Sequence, residues 1–162
     1  MQAVIFANDD FTVMIYEYLL YKYLHFVAVF MIVAALGIEA FAVKAVMTRA
    51  CLRRLALIDA IYGAGAILLL FAGMMLWWKV GKPAAYYSNN YLFLLKIGLF
   101  ALMGVLSLYP TVFFIKQRKG AQEEEVVVPR ALRWCVYMEL LLLLVIPLLA
   151  VLMAQGIGYL VP

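Results

Sequence analysis

This sequence predicts an all-α protein embedded in a membrane, a four-helix bundle with both termini on the outer side. Three observations point there. Of its 162 residues, 69% are hydrophobic and 14% charged, whereas a water-soluble domain is about 45–50% apolar and about 25% charged. The apolar residues gather into four long stretches, each able to cross a ~30 Å hydrocarbon core at ~1.5 Å per helical residue. Arginine and lysine crowd the first and third connections between those stretches. The mean hydropathy of +1.04 agrees. No open strand arrangement satisfies its backbone in lipid, so the spans are helices. Residues 1–162 therefore read as a single membrane domain, with no room for a large extramembrane catalytic domain.

The first span covers about residues 19–46 and is longer than a straight crossing requires, so it tilts or begins outside the bilayer. The segment before it, MQAVIFANDD, has no positive n-region and carries Asp9 and Asp10, which argues against a cleaved signal peptide. The second span covers about 55–78, the third 91–115 and the fourth 132–155, with a long loop at 116–131. Pro110 and Pro147 fall within the third and fourth spans, where each frees a backbone carbonyl and favours a kink.

Orientation follows from the basic residues. Arg49, Arg53, Arg54, Lys116, Arg118, Lys119, Arg130 and Arg133 lie on one side, and Lys22, Lys79 and Lys82 on the other. The richer side faces the cytoplasm, so both termini face out and the location expected is a bacterial inner membrane. Basic residues placed in loops in this way do not make a nucleic-acid stripe, and no nucleic-acid partner is expected. The run Glu123–Glu125 reads as a solvated charge run in the cytoplasmic loop. Tyr16, Tyr18, Tyr21 and Tyr23, with Trp77, Trp78, Tyr86, Tyr87 and Tyr91, fall at the outer boundary as an aromatic belt.

Ionisable residues inside spans are costly and mark functional hypotheses. Here they are His25, Glu39, Asp59, Lys96 and Glu139. His25 and Lys96 sit near the outer ends of the first and third spans, at a similar level. Glu39, Asp59 and Glu139 lie nearer the inner side. At ~100° per residue, His25, Val29, Ile32, Leu36 and Glu39 share one stripe. Lys96, Phe100, Met103 and Ser107 share another. Asp59, Tyr62, Gly63 and Ala66 share a third, whose small residues let a neighbouring helix approach. Asp59 has two readings: a surface partner of Arg53 or Arg54, or a site residue. Glu39 and Glu139 are protonated or paired, with each other, Tyr62, Tyr137 or an arginine. Cys51 and Cys135 form no CxxC, and a single histidine excludes a zinc site needing two. Met74, Met75 and His25 are too few for a copper site.

The strings YLHFVAVFMIVAALGIEAFAVKAVM and YLFLLKIGLFALMGVLSLYPTVFFIKQRK resemble the first and third spans of HemJ-type membrane protoporphyrinogen oxidases and of copper-resistance D-like membrane domains. The segments LIDAIYGAGA, LLKIGLFALMGVLS and LLLLVIPLLAVLMAQGIG resemble a family of small four-helix bacterial inner-membrane proteins without an assigned function. That second resemblance covers roughly residues 18–158. The first implies bound haem b or a porphyrin, with His25 as metal ligand and Lys96 beside it.

The expected function is therefore haem or porphyrin binding for redox chemistry. Its candidate residues are His25, Lys96 and Met103 at the cofactor, and Lys96, Glu39 and Glu139 in proton and substrate chemistry. Asp59 and Tyr62 are further intramembrane polar groups. Two alternatives stand beside it. One is a proton-coupled transport subunit built on the carboxylates. The other is a non-enzymatic accessory or assembly subunit of a larger membrane complex. A quinone ligand and a homo-oligomer are the other partners the sequence allows besides the lipid bilayer.

Overall fold

A computed structural model describes residues 2–160, with side chains from Thr12 to Leu160. Asp9 and Asp10 lie outside the described side chains. The helices are α1 (Gln2–Ala42), α2 (Arg49–Trp78), α3 (Ala84–Ser88), α4 (Tyr91–Gln117) and α5 (Arg130–Ala154). Four contain segments long and apolar enough to cross a membrane: Thr12–Ala42, Arg49–Trp78, Tyr91–Gln117 and Arg130–Ala154. α1 packs on α2 and α4 on α5. Contacts of α2 with α4 and of α1 with α5 close the ring. The expected four-helix membrane bundle is therefore present. Phe30, Phe41, Ile67 and Leu144 stand more than two-thirds exposed, as side chains facing lipid tails do.

Two elements add to the all-helical expectation. α3 is a short helix between α2 and α4. A two-stranded antiparallel sheet joins β1 (Val46–Thr48) to β2 (Glu125–Val127), pairing Val46 with Val127, Met47 with Val126 and Thr48 with Glu125. Its β-branched residues suit a pleated surface. α1 consequently ends at Ala42, because the chain to Thr48 is taken up by the sheet. The sheet ties the α1–α2 connection to the α4–α5 connection, and the end of the bundle that carries it is called here the sheet end.

The arginines do local work at that end. Thr48 caps α2 by accepting from the Cys51 amide. Carbonyls of Glu124 and Gln122 accept from the amides of Arg49 and Ala50. Arg49 grips Glu124 through two bonds of 2.7 Å and donates to the Gln117 carbonyl at 2.8 Å. Arg53 donates to the carbonyls of Arg118 and Gly120 at 2.8 and 2.9 Å. These bonds supply the last turn of α4 with donors it cannot find within the helix. Gly120 has φ +121°, and a Cβ there would meet the Arg49 side chain at 2.8 Å. Glu123–Glu125 is exposed, as a solvated run is, with Glu124 paired to Arg49 and Glu125 in a strand. The hydrogen bonds from Arg49 hold the Glu124 carboxyl below the usual carboxylate range.

The opposite end is closed by Asn90, which is fully buried. Its Oδ1 accepts from the amides of Leu92 and Phe93, capping α4, and its Nδ2 donates to the Ile157 carbonyl at 3.0 Å. The C-terminal tail is thereby fastened to the start of α4, and the Leu160 amide bonds the Asn89 carbonyl. The aromatic belt is a connected set of rings here. Trp77 stacks on Trp78 at 4.9 Å and meets Phe93 edge-on at 4.8 Å, while Tyr86 stacks with Tyr159 at 5.9 Å.

Candidate functional site

Two polar layers lie inside the bundle, separated along its axis. The first is a carboxylate cluster towards the sheet end, Glu39 about one turn from the end of α1 and Asp59 and Glu139 two to three turns inside α2 and α5. Glu39 on α1, Asp59 on α2 and Glu139 on α5 are 3%, 5% and 2% exposed. They are close enough to act on one another electrostatically, and no basic side chain is among the groups acting on them. Thr111 Oγ1 donates to Asp59 Oδ1 at 2.9 Å. Tyr62 lies beside Glu139 and Ser107. Glu39 Oε1 and Glu139 Oε1 are buried with no hydrogen-bond partner.

The helical stripes explain this convergence. On α1 the inward face carries Ala28, Ile32, Leu36 and Glu39, all buried. On α2 it carries Leu52, Leu55, Asp59 and Tyr62. On α5 it carries Leu132, Val136 and Glu139. The carboxylates occupy core positions at i+3 or i+4 spacing. Between α1 and α2 the tight point is Gly65, where a Cβ would stand 3.1 Å from Met31 Cβ and 3.2 Å from Ile32 Cγ1. Gly63, a small residue of the expected close-approach stripe, has nothing within 4 Å of such a Cβ.

Asp59 forms no ion pair with Arg53 or Arg54. Burial and the bond from Thr111 place it in the core, while Arg53 is engaged with carbonyls at the end of α4. Thr111 was not singled out in the sequence. The available signal was a hydroxyl directly after a buried proline on an otherwise apolar helix. Tyr137 does not approach Glu139 in the core; it lies on the outer face of α5, 48% exposed.

The second layer is at the far end. His25 on α1 and Lys96 on α4 are both half-buried, and Lys96 acts electrostatically on the imidazole. Lys96 Nζ stands 5.0 Å from the centre of the Phe93 ring. The His25 ring packs against Gly73 of α2, its Cε1 and Nδ1 being 3.7 and 3.8 Å from a Cβ built there. Nδ1 is buried without a partner, as is Trp77 Nε1 nearby in the belt. Met103 belongs to the hydrophobic core, 1% exposed, about two turns along α4 from Lys96.

Between the layers lie apolar side chains, Ile32, Leu36 and Met103 among them. The two layers are therefore not joined by a polar path in this conformation. A lipid-facing groove of about 440 Å³ between α1 and α2 is lined by apolar residues, Phe30, Met31, Ile38 and Ile58 among them, and includes none of these polar groups. Among the described residues no cluster of three or more histidine, cysteine or acidic side chains has the geometry to hold a metal ion.

The family model described as Predicted membrane protein (DUF2214) matches residues 17–158. No curated protein and no solved structure matches the chain.

Proposed function

We propose that this chain, which belongs to the DUF2214 family of predicted membrane proteins, is a proton-handling subunit of a membrane transport process, using the carboxylate cluster as its proton-binding site. One observation carries the reading. Three helices each deliver a carboxyl group to one buried place, and among the described residues no cation accompanies them. Isolated buried charges are prohibitively costly, so such a cluster is tolerated when it shares protons. A shared proton is also one that can be passed on.

The neighbouring groups suit that task. Glu39 is nearest the sheet end and is placed to receive a proton from that side. Glu139 and Asp59 lie deeper, and the Tyr62 and Thr111 hydroxyls offer hydrogen-bond partners on either side of them. Beyond them the apolar layer acts as a barrier, which passes protons only when wetted. With the positive-inside orientation, the sheet end faces the cytoplasm and the cluster loads from there.

The test is proton influx into liposomes of purified protein, read with an enclosed pH dye under an imposed potential. Glu139→Gln and Glu39→Gln should slow influx by about tenfold or more. Infrared difference spectra should show a protonated carboxyl band that the same variants remove. Influx no faster than in empty liposomes, or equal in the double variant, would refute the reading.

A second reading is favoured by the buried, partnerless Nδ1 of His25 beside Lys96: ligation of haem b or a porphyrin. The packing against Gly73 closes the α2 side of the ring, so Nε2 would be the donor left for iron, and Lys96, which acts electrostatically on the imidazole, would neutralise a propionate. Bound haem would supply one-electron chemistry. A Soret band in purified protein, lost in His25→Ala, would support it. A featureless spectrum after added haemin would end it.

A further inference from the structure

The first two turns of α5 carry a feature that neither polar layer uses. Arg130, Arg133, Trp134 and Tyr137 follow one another at helical spacing and line a single pocket of about 250 Å³. Arg49 and Arg53 at the same end are engaged with loop groups, but among the described residues Arg130 and Arg133 form no ion pair. Arg133 Nε is buried and has no hydrogen-bond partner. Pro129 precedes the helix and makes no side-chain cap, so the first amides of α5 are also left without one. Two cations, an orphaned donor and uncapped amides together describe a site for an anion.

The rest of the stripe says which anion. Trp134 and Tyr137 are 64% and 48% exposed, and the same face continues through Leu141, Leu144 and Leu148, 53%, 70% and 57% exposed. From Arg130 to Tyr137 the helix rises ~10 Å, and to Leu148 ~27 Å. This descends from charge through amphipathic rings to bare hydrocarbon, and the ~21 Å from Arg130 to Leu144 matches one leaflet, the span of one phospholipid from phosphate to acyl-chain end. A soluble phosphate would need the arginines but not the apolar track. A zwitterionic headgroup would bring its own cation towards two arginines.

We propose that Arg130, Arg133, Trp134 and Tyr137 form a binding site for an anionic phospholipid, with the phosphate held by the two arginines and the acyl chain lying along the outer face of α5. The site is independent of the proton-handling reading and of the haem reading, since it shares no residue with either.

Native mass spectrometry of the detergent-purified protein, titrated with phosphatidylglycerol or phosphatidylcholine, tests it. Phosphatidylglycerol should bind more tightly, and added salt should weaken it. Each arginine near an anionic surface is typically worth about fivefold, so R130Q/R133Q should lose about thirtyfold in affinity. K116Q/K119Q, at the same end but off the stripe, should bind as the wild type does. Equal binding of the two lipids to wild-type protein overturns the proposal without recourse to any variant. So does unchanged phosphatidylglycerol affinity in R130Q/R133Q. Inorganic phosphate competing at the lipid's own affinity would show a free-anion site instead.

Discussion

Glu124 and Arg49 are 75 positions apart in sequence and meet through a bidentate pair at 2.7 Å. That pairing gives the sheet end a pH response. Glu124 is held below its usual value of 4.5, chiefly by hydrogen bonds from Arg49. In the unfolded chain it titrates near that value, so the contribution is complete above pH ~4.5 and is lost as pH falls through the lower folded value. Pepsin should therefore nick the α4–α5 connection increasingly below pH ~4, and Glu124→Gln should remove that dependence by leaving the connection open at higher pH. Identical nicking of both proteins across the range would show that the pair does not fasten the loop. The local pattern EEE does not name its partner, because Lys116, Arg118, Lys119 and Arg130 are all nearer in sequence than Arg49. Asp59 shows the converse. Arg53 and Arg54 are close in sequence and suggested an ion pair, but helical geometry turns Asp59 inward to Thr111. Glu39, Glu139, His25 and Lys96 were legible because ionisable residues in apolar stretches stand out. Which hydroxyls meet them depends on helix rotation, which no single span encodes.

At the scale of elements, the tightest glycine contact between α1 and α2 is at Gly65. A methyl at Gly65 must displace Met31 or Ile32, and overpacking of a close contact typically costs about 1–3 kcal/mol. Gly65→Ala should lower the unfolding temperature in detergent, while Gly63→Ala, with open space around it, should change stability by no more than about 0.5 kcal/mol. Equal melting of the two variants would mean that Met31 and Ile32 yield to the added methyl without cost. The apolar periodicity located both helices, but it offered Gly63 and Ala66 as the small residues of the approach; Ala66 packs against the core, while Gly63 faces open space. Gly63 and Gly65 lie on nearly opposite sides of α2, and the choice between them is made by where α1 lies. The sheet escaped for another reason. Three-residue strands bury too little to leave a period, and VVV beside a loop is equally at home in a helix.

Across the whole molecule, the spans were legible because lipid imposes length and apolarity on every crossing. Orientation rests on charge asymmetry, and Cys51 tests it. It is exposed at the sheet end, so the positive-inside rule predicts that a membrane-impermeant maleimide leaves it unlabelled in intact cells. A cysteine introduced by Ser88→Cys, at the opposite end, should label in a Cys51→Ser background. The reverse pattern would invert the topology and the loading side proposed for the cluster. The sheet has one more consequence. It joins two helical hairpins, α1–α2 and α4–α5, by backbone hydrogen bonds at one end only. At the other, the hairpins are linked by the chain through α3 and by the ring contact of Trp77 with Phe93. A pair of limbs riveted at one end behaves like tongs. A relative tilt of roughly 5° moves the carboxylates by about 1 Å or less, yet at the level of His25 and Lys96, ~26–32 Å from the sheet end, it opens the limbs by roughly 2–3 Å. The leverage falls on His25 and Lys96, one on each limb.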